Sequence, residues 1–150
     1  MDTIANLKFR LQRRVDTFEL TVDERSKEIV RQAILTTAAG TPVDKGRARS
    51  NWRISAAVRT PSNVIPPYAP GENLGINETA NLQGVADHAR RVLALWRPAE
   101  DRPATIFNNW DQIERLNDGE ISLQGRHFIE AGQQKMIQLI RSSRWIRNRR

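Results

Sequence analysis

The 150-residue chain has no cysteine, which excludes disulfide staples, thiolate metal sites and cysteine nucleophiles. Histidine occurs only at His88 and His127, and neither forms a recognisable metal-ligand motif with a carboxylate. Each therefore reads as a surface residue or a satisfied, partly buried one. There is no Gly-Lys-Ser/Thr phosphate loop, and Ser50, Ser55 and Ser122 lack a nucleophile-elbow setting. Glu114 and Asp118 share a helical face, a pairing too common to mark acid–base catalysis. The expectation is a protein that is not an enzyme and uses no cofactor or metal. Long hydrophobic runs are missing too. No stretch of about 18 apolar residues exists to span a membrane. The opening MDTIANLKFRLQRR has no signal-peptide core. The chain reads as soluble and made in a cytoplasm.

What is present is a basic balance, with a formal net charge of +7. The last ten residues, RSSRWIRNRR, hold five arginines and no acid, and removing those five charges leaves an ordinary +2. The basicity is largely a property of the tail at 141–150, with a smaller share from the turn at 45–53. Such an arm suits a polyanion, an acidic protein surface or a solvated end. A length of 150 residues and a hydrophobic fraction of 39% fit one domain with a real core.

Periodicity organises that domain. Ile4, Leu7, Leu11, Val15 and Phe18 recur three and four apart, and Val22, Ile29, Ala33 and Ile34 carry a second stripe, so residues 3–39 read as helix. Threonine and β-branched residues near 20–22 and a capping Asp23 predict a bend or a short break there. Gly40 and Pro42 end the helix. From Arg49 to Val58, Trp52, Ile54, Ala56 and Val58 alternate with Asn51, Arg53, Ser55 and Ala57, the pattern of a strand packed on one face. Burying Trp52 there would contribute about 2–3 kcal/mol.

Residues 59–76, RTPSNVIPPYAPGENLGI, hold four prolines and two glycines and read as a long loop. Val64, Ile65 and Tyr68 on it are candidate contacts to a neighbouring chain, with folding back over the core the equal alternative. A helix starting at Asn77 or Thr79 runs to about Trp96. Ala104–Asn108 has the look of an inner strand, Asn109 can cap a short helix closed by Gly119, and residues 128–144 form a last amphipathic helix. Two strands alone make a poor sheet, so residues 59–66, 119–124 or another subunit are candidates to add more. The expected fold is α+β: a long N-terminal helix, a small mainly antiparallel sheet and two further helices. These form one domain over 1–140, followed by the basic tail at 141–150.

The stretch TPVDKGRARSNWRIS, residues 41–55, resembles the Thr-Pro-Val-Asp-Thr-Gly-Arg-x-Arg-x-x-Trp segment of a tailed-bacteriophage morphogenesis family. That family comprises small virion proteins of head–tail joining, neck and tail-completion type. Thr41, Pro42, Val43, Asp44, Gly46, Arg47, Arg49 and Trp52 match the pattern, and Lys45 departs from it. A second block, IFNNWDQIERLNDGEISLQGRHFIEAG, is similar through Asn108, Asn109, Leu116, Gly119, Ser122, Gln124, Gly125 and Phe128, with Ile113 near the place of the usual tyrosine and without the usual proline. The resemblance implies a tail-terminator-like fold and a homo-oligomeric ring of six or twelve copies. It also implies neighbouring connector, adaptor and tail-tube proteins, DNA passing through the centre, and a place in the virion after assembly in the host cytoplasm. No membrane is implied.

In the matching corner, Asp44 is expected to bond backbone N–H groups and to pair with Arg47 or Arg49. Gly46 supplies a conformation that side chains resist, and Trp52 anchors the strand. In the tail, Arg144, Trp145, Arg147, Arg149 and Arg150 are candidate partner contacts. The alternative reading is a non-specific nucleic-acid-binding accessory protein that uses this arginine-rich tail. Readout by a helix in the groove does not fit, because the first arginine cluster lies in a turn and strand.

Overall fold

α1 spans Ile4–Gly40 without a break, where the sequence suggested a bend or two helices. The residues expected to weaken it are satisfied within it. Thr17 and Thr21 hydroxyls donate to the carbonyls four residues back, at 2.7 and 2.8 Å, which keeps these side chains helical. Asp23 caps nothing; it pairs with Lys27 one turn on, at 2.7 Å. The computed structural model describes residues 4–42, 46–57, 59–69, 76–98, 100, 103–121 and 126–142.

Two long helices pack on the C-terminal half of α1. α3 (Ile76–Leu95) and α5 (Phe128–Ser142) cover different faces, with α5 the more extensive partner. Phe128 lies against Gly40 and Gly132 against Ala33 and Thr37, so α5 runs antiparallel to α1. Gly132 allows this approach, since a Cβ there would meet the Thr37 hydroxyl and the Ala33 carbonyl. Ile34, Ala38, Val85, Ala89, Leu93 and Phe128 fill the centre, and Trp52 meets Phe128 edge-on with ring centroids 6.3 Å apart.

The sheet is two-stranded and antiparallel among the described residues. β1 (Trp52–Ser55) pairs with β2 (Thr105–Asn108) in the register Trp52↔Asn108, Arg53↔Phe107, Ile54↔Ile106 and Ser55↔Thr105. The strand is shorter than the alternation suggested. Arg47–Ser50 instead forms one helical turn, α2, closed by Asn51. Both faces of β1 are buried, whereas the pattern suggested one solvated face. β2 is half-buried with Thr105 exposed, not an inner strand. Residues 59–66 add no strand to the sheet. α4 (Ile113–Asn117) begins after Gln112, and Asn109 serves another purpose. Gly119, at φ +79°, closes it with an N–H to the Leu116 carbonyl. The coarse expectation of an α+β chain with a long N-terminal helix, a small antiparallel sheet and further helices matches this architecture.

The first part of α1, from Ile4 to Leu20, is exposed. Ile4 is 88% exposed, and Leu7, Leu11, Val15 and Phe18 are about half exposed. The stripe read from the sequence is a real face, but the described residues leave it exposed.

Candidate functional site

The corner between α1 and β1 gathers most of the buried polar chemistry. α1 ends with Thr41, fully buried, whose hydroxyl donates to the Thr37 carbonyl at 2.8 Å and accepts from the Trp52 indole N–H at 2.8 Å. One hydroxyl thus joins the helix end to the strand start. Arg49, 2% exposed, turns its guanidinium onto the same helix end. Its Nη2 donates to the Ala39 and Thr41 carbonyls at 3.0 and 2.7 Å, and its Nε to Thr41 at 3.2 Å. The last carbonyls of a helix lack intrahelical partners and carry partial negative charge, so a cation there satisfies both needs. Gly46 sits at φ +75° at the start of α2, where a Cβ would come 2.6 Å from Asn81 Nδ2 and 3.1 Å from Pro67. A side chain is thus opposed by backbone and by space.

Two buried amides, a half-buried one and a serine then tie the proline-rich loop to this corner. Asn51 accepts the Ile65 N–H at 2.9 Å and donates to the Ile65 carbonyl at 3.0 Å, reproducing a strand-like pair with a side chain. Asn81, on α3, treats Ala69 the same way at 3.0 and 3.1 Å, and accepts from Ser50 Oγ at 2.7 Å. Ser50 Oγ accepts the Tyr68 N–H at 3.1 Å. From the other side Arg53 donates to the Asn63 carbonyl at 2.6 Å while lying over the Phe107 ring, 5.1 Å from its centroid. Arg53 Nε is buried without a hydrogen-bond partner. Asn109 reaches the Pro61 and Asn63 carbonyls, and Asn108 donates to Ala48 at 2.7 Å. Residues 61–69 are therefore held by side chains at both ends and lie back over the polar face of β1.

The candidate residues fall into three groups. Thr41, Gly46, Arg49 and Trp52 converge in the corner, with Pro42 half-buried beside them and Arg47 exposed on α2. Val64 points outward at 51% exposure, Ile65 is half-buried, and Tyr68 lies across Gly84 of α3. Asp44 and its expected pairing, together with Arg144, Trp145, Arg147, Arg149 and Arg150, lie outside the described residues. Asn51, Asn81 and Asn109 carry the loop, and the sequence reading passed over them in that role. Asn81 did leave a signal. It stands four and eight residues before Val85 and Ala89, on the apolar face of its helix, where an amide needs partners.

Electrostatics around the corner are quiet. His88 is half-buried with Nε2 3.2 Å from the Ile54 N–H, and burial holds its pKa below the ordinary value. Burial likewise pushes the Tyr68 phenol up. Farther away, a bidentate hydrogen bond with Arg31 holds Glu28 below the usual carboxylate range, and hydrogen bonds from Asn117 do the same for Glu130.

Two open grooves flank the body. One, of about 420 Å³, is lined by Asp16, Glu19, Leu20 and Asp23 of α1 and by Ala94, Arg97 and Glu100. The other lies between Thr36 and the outer face of α5. Among the described residues no three His, Asp or Glu side chains are grouped to hold a metal ion. No described helix is long and apolar enough to cross a membrane. What the corner can do is fix geometry: it locks a helix end, a strand and a surface loop into one body. No family model, curated protein or solved structure matches the chain.

Proposed function

We propose that the chain is a non-enzymatic structural protein of a tailed-phage particle, with a tail-terminator-like fold. It forms a homo-oligomeric ring of six or twelve copies at the head–tail interface, between the capsid connector and the tail, with DNA passing through the centre. The observation that carries this reading is the 41–52 block. Of the residues that give it its resemblance, Thr41, Arg49 and Trp52 lock the end of α1 to the start of β1, and Gly46 leaves the space that Asn81 and Pro67 occupy. A building block that works by shape needs such a rigid corner, because neighbours must find each surface in the same place every time.

Mass spectrometry of purified particles from cells carrying the gene should find the chain at several copies per particle. Electron microscopy of the neck should show a ring containing it. Particles that lack the chain would overturn the proposal. The competing reading, a nucleic-acid-binding accessory protein, predicts duplex binding at about 50 mM salt with a steep salt dependence. Deleting 141–150 should abolish that binding.

A further inference from the structure

The projecting half of α1 carries charge in two blocks. From Ile4 to Glu24 the bases are Lys8, Arg10, Arg13 and Arg14, and the acids are Asp16, Glu19, Asp23 and Glu24. All four bases precede Val15 and all four acids follow it. The apolar stripe of Ile4, Leu7, Leu11, Val15 and Phe18 runs through both blocks. Its 3-4-4 spacing repeats every eleven residues, close to the helical period, so the stripe stays nearly parallel to the axis.

We propose that two copies of the chain pair through this arm as an antiparallel helix dimer centred on Val15. In that arrangement Leu11 of each copy lies by Phe18 of the other, and Lys8 comes within a turn of Asp23 on the same flank. Parallel pairing would set base on base and acid on acid, which costs several kcal/mol across an interface. The antiparallel arrangement is self-complementary, as a two-fold interface must be. The partner is therefore a second copy, whose arm matches in both charge order and apolar stripe.

The size fits a reversible contact. About 20 helical residues extend about 30 Å, and half the girth of a helix gives a footprint of roughly 500 Å² per copy. The two together reach the roughly 1,000 Å² floor for a specific interface. Such a contact closes on itself and cannot propagate a ring. It joins two chains before assembly, or two rings back to back. The proposal does not rest on the virion reading and can fail without it.

Analytical ultracentrifugation of the full chain tests the proposal. The wild type should show reversible association to twice the 17.2 kDa chain mass. Reversing the bases (Lys8→Glu, Arg10→Glu, Arg13→Glu, Arg14→Glu) should weaken association about 100-fold. Reversing the acids (Asp16→Lys, Glu19→Lys, Asp23→Lys, Glu24→Lys) should do the same, and mixing the two variants should restore a dimer. Because the chain has no cysteine, Val15→Cys should cross-link on mild oxidation while Asn6→Cys should not. A wild type still monomeric at about 1 mM overturns the proposal. So does a dimer indifferent to both reversals, cross-linking through position 6 alone, or dimerisation that appears only once residues 143–150 are deleted.

Discussion

Arg49 stabilises the corner by a mechanism that charge counting misses: its guanidinium replaces the hydrogen-bond partners that the end of α1 lacks. Arg49→Met should leave the buried Thr41 carbonyl without the donors that Arg49 supplies, at a cost of about 1–3 kcal/mol in urea melts. Arg49→Lys should fall between, since an ammonium keeps the charge but not the fork. Gly46→Ala, at φ +75° and against Asn81, should lose about 1–2 kcal/mol. His88 gives the fold a pH dependence. Burial lowers its folded pKa, while the unfolded chain titrates near the ordinary value of about 6.5. Between those values the unfolded chain binds the proton that the folded chain refuses. Stability is full above about 6.5 and falls as pH drops through the folded value. Melting temperatures at pH 7.5 and 5 should differ in that direction, and His88→Gln should flatten the difference. Glu28 and Glu130 add stability that is present at neutral pH and is lost only in more acidic solution, as pH falls through their lowered folded pKa values. At this scale the sequence disclosed that Gly46 was needed for its conformation and that Trp52 was an anchor. It hid the burial of Arg49, Arg53 and Ser55, because alternation marks polar positions as outward and cannot foresee a loop laid over them.

The loop and α5 show how single side chains govern whole elements. Asn81 makes both hydrogen bonds to Ala69 and shares Ser50 with Tyr68, so Asn81→Ala should release residues 68–69 while the helices persist. Hydrogen exchange should then speed up at the Tyr68 and Ala69 amides and stay slow at Ile65, which Asn51 holds, and in the C-terminal half of α1. Gly132→Ala sets two effects against each other. Alanine improves helix propensity by nearly 1 kcal/mol, but its methyl meets the Thr37 hydroxyl and the Ala33 carbonyl, where overpacking costs about 1–3 kcal/mol. The expected sign is destabilising, read as a lower melting temperature. Helix periodicity disclosed α1, α3 and α5 with good bounds, because long stripes leave little ambiguity. The short elements were less legible. The turn at Arg47–Ser50 merged into the strand reading, and Asn109 passed for a cap, because four or five residues carry too little pattern against tertiary contacts.

Across the whole molecule, the sequence could show that α1 has an apolar face along its full length but not what covers it. A stripe reports burial against something, and only its C-terminal half finds α3 and α5. The two-stranded sheet is stable for the same kind of reason: α3 backs β1, and the loop covers its other face, so no further strand is required. The antiparallel order of α1 and α5 also bears on how the chain is made. Gly40 and Phe128, which touch in the finished protein, lie far apart on the message. At about 5–20 residues per second, roughly 5–20 s separate their synthesis. Through that interval Ala33 and Thr37 of the newborn α1 lack the partner that α5 supplies. The final compaction must wait until α5 has been made, and a ribosome that stalls short of Phe128 leaves a product with its longest seam open.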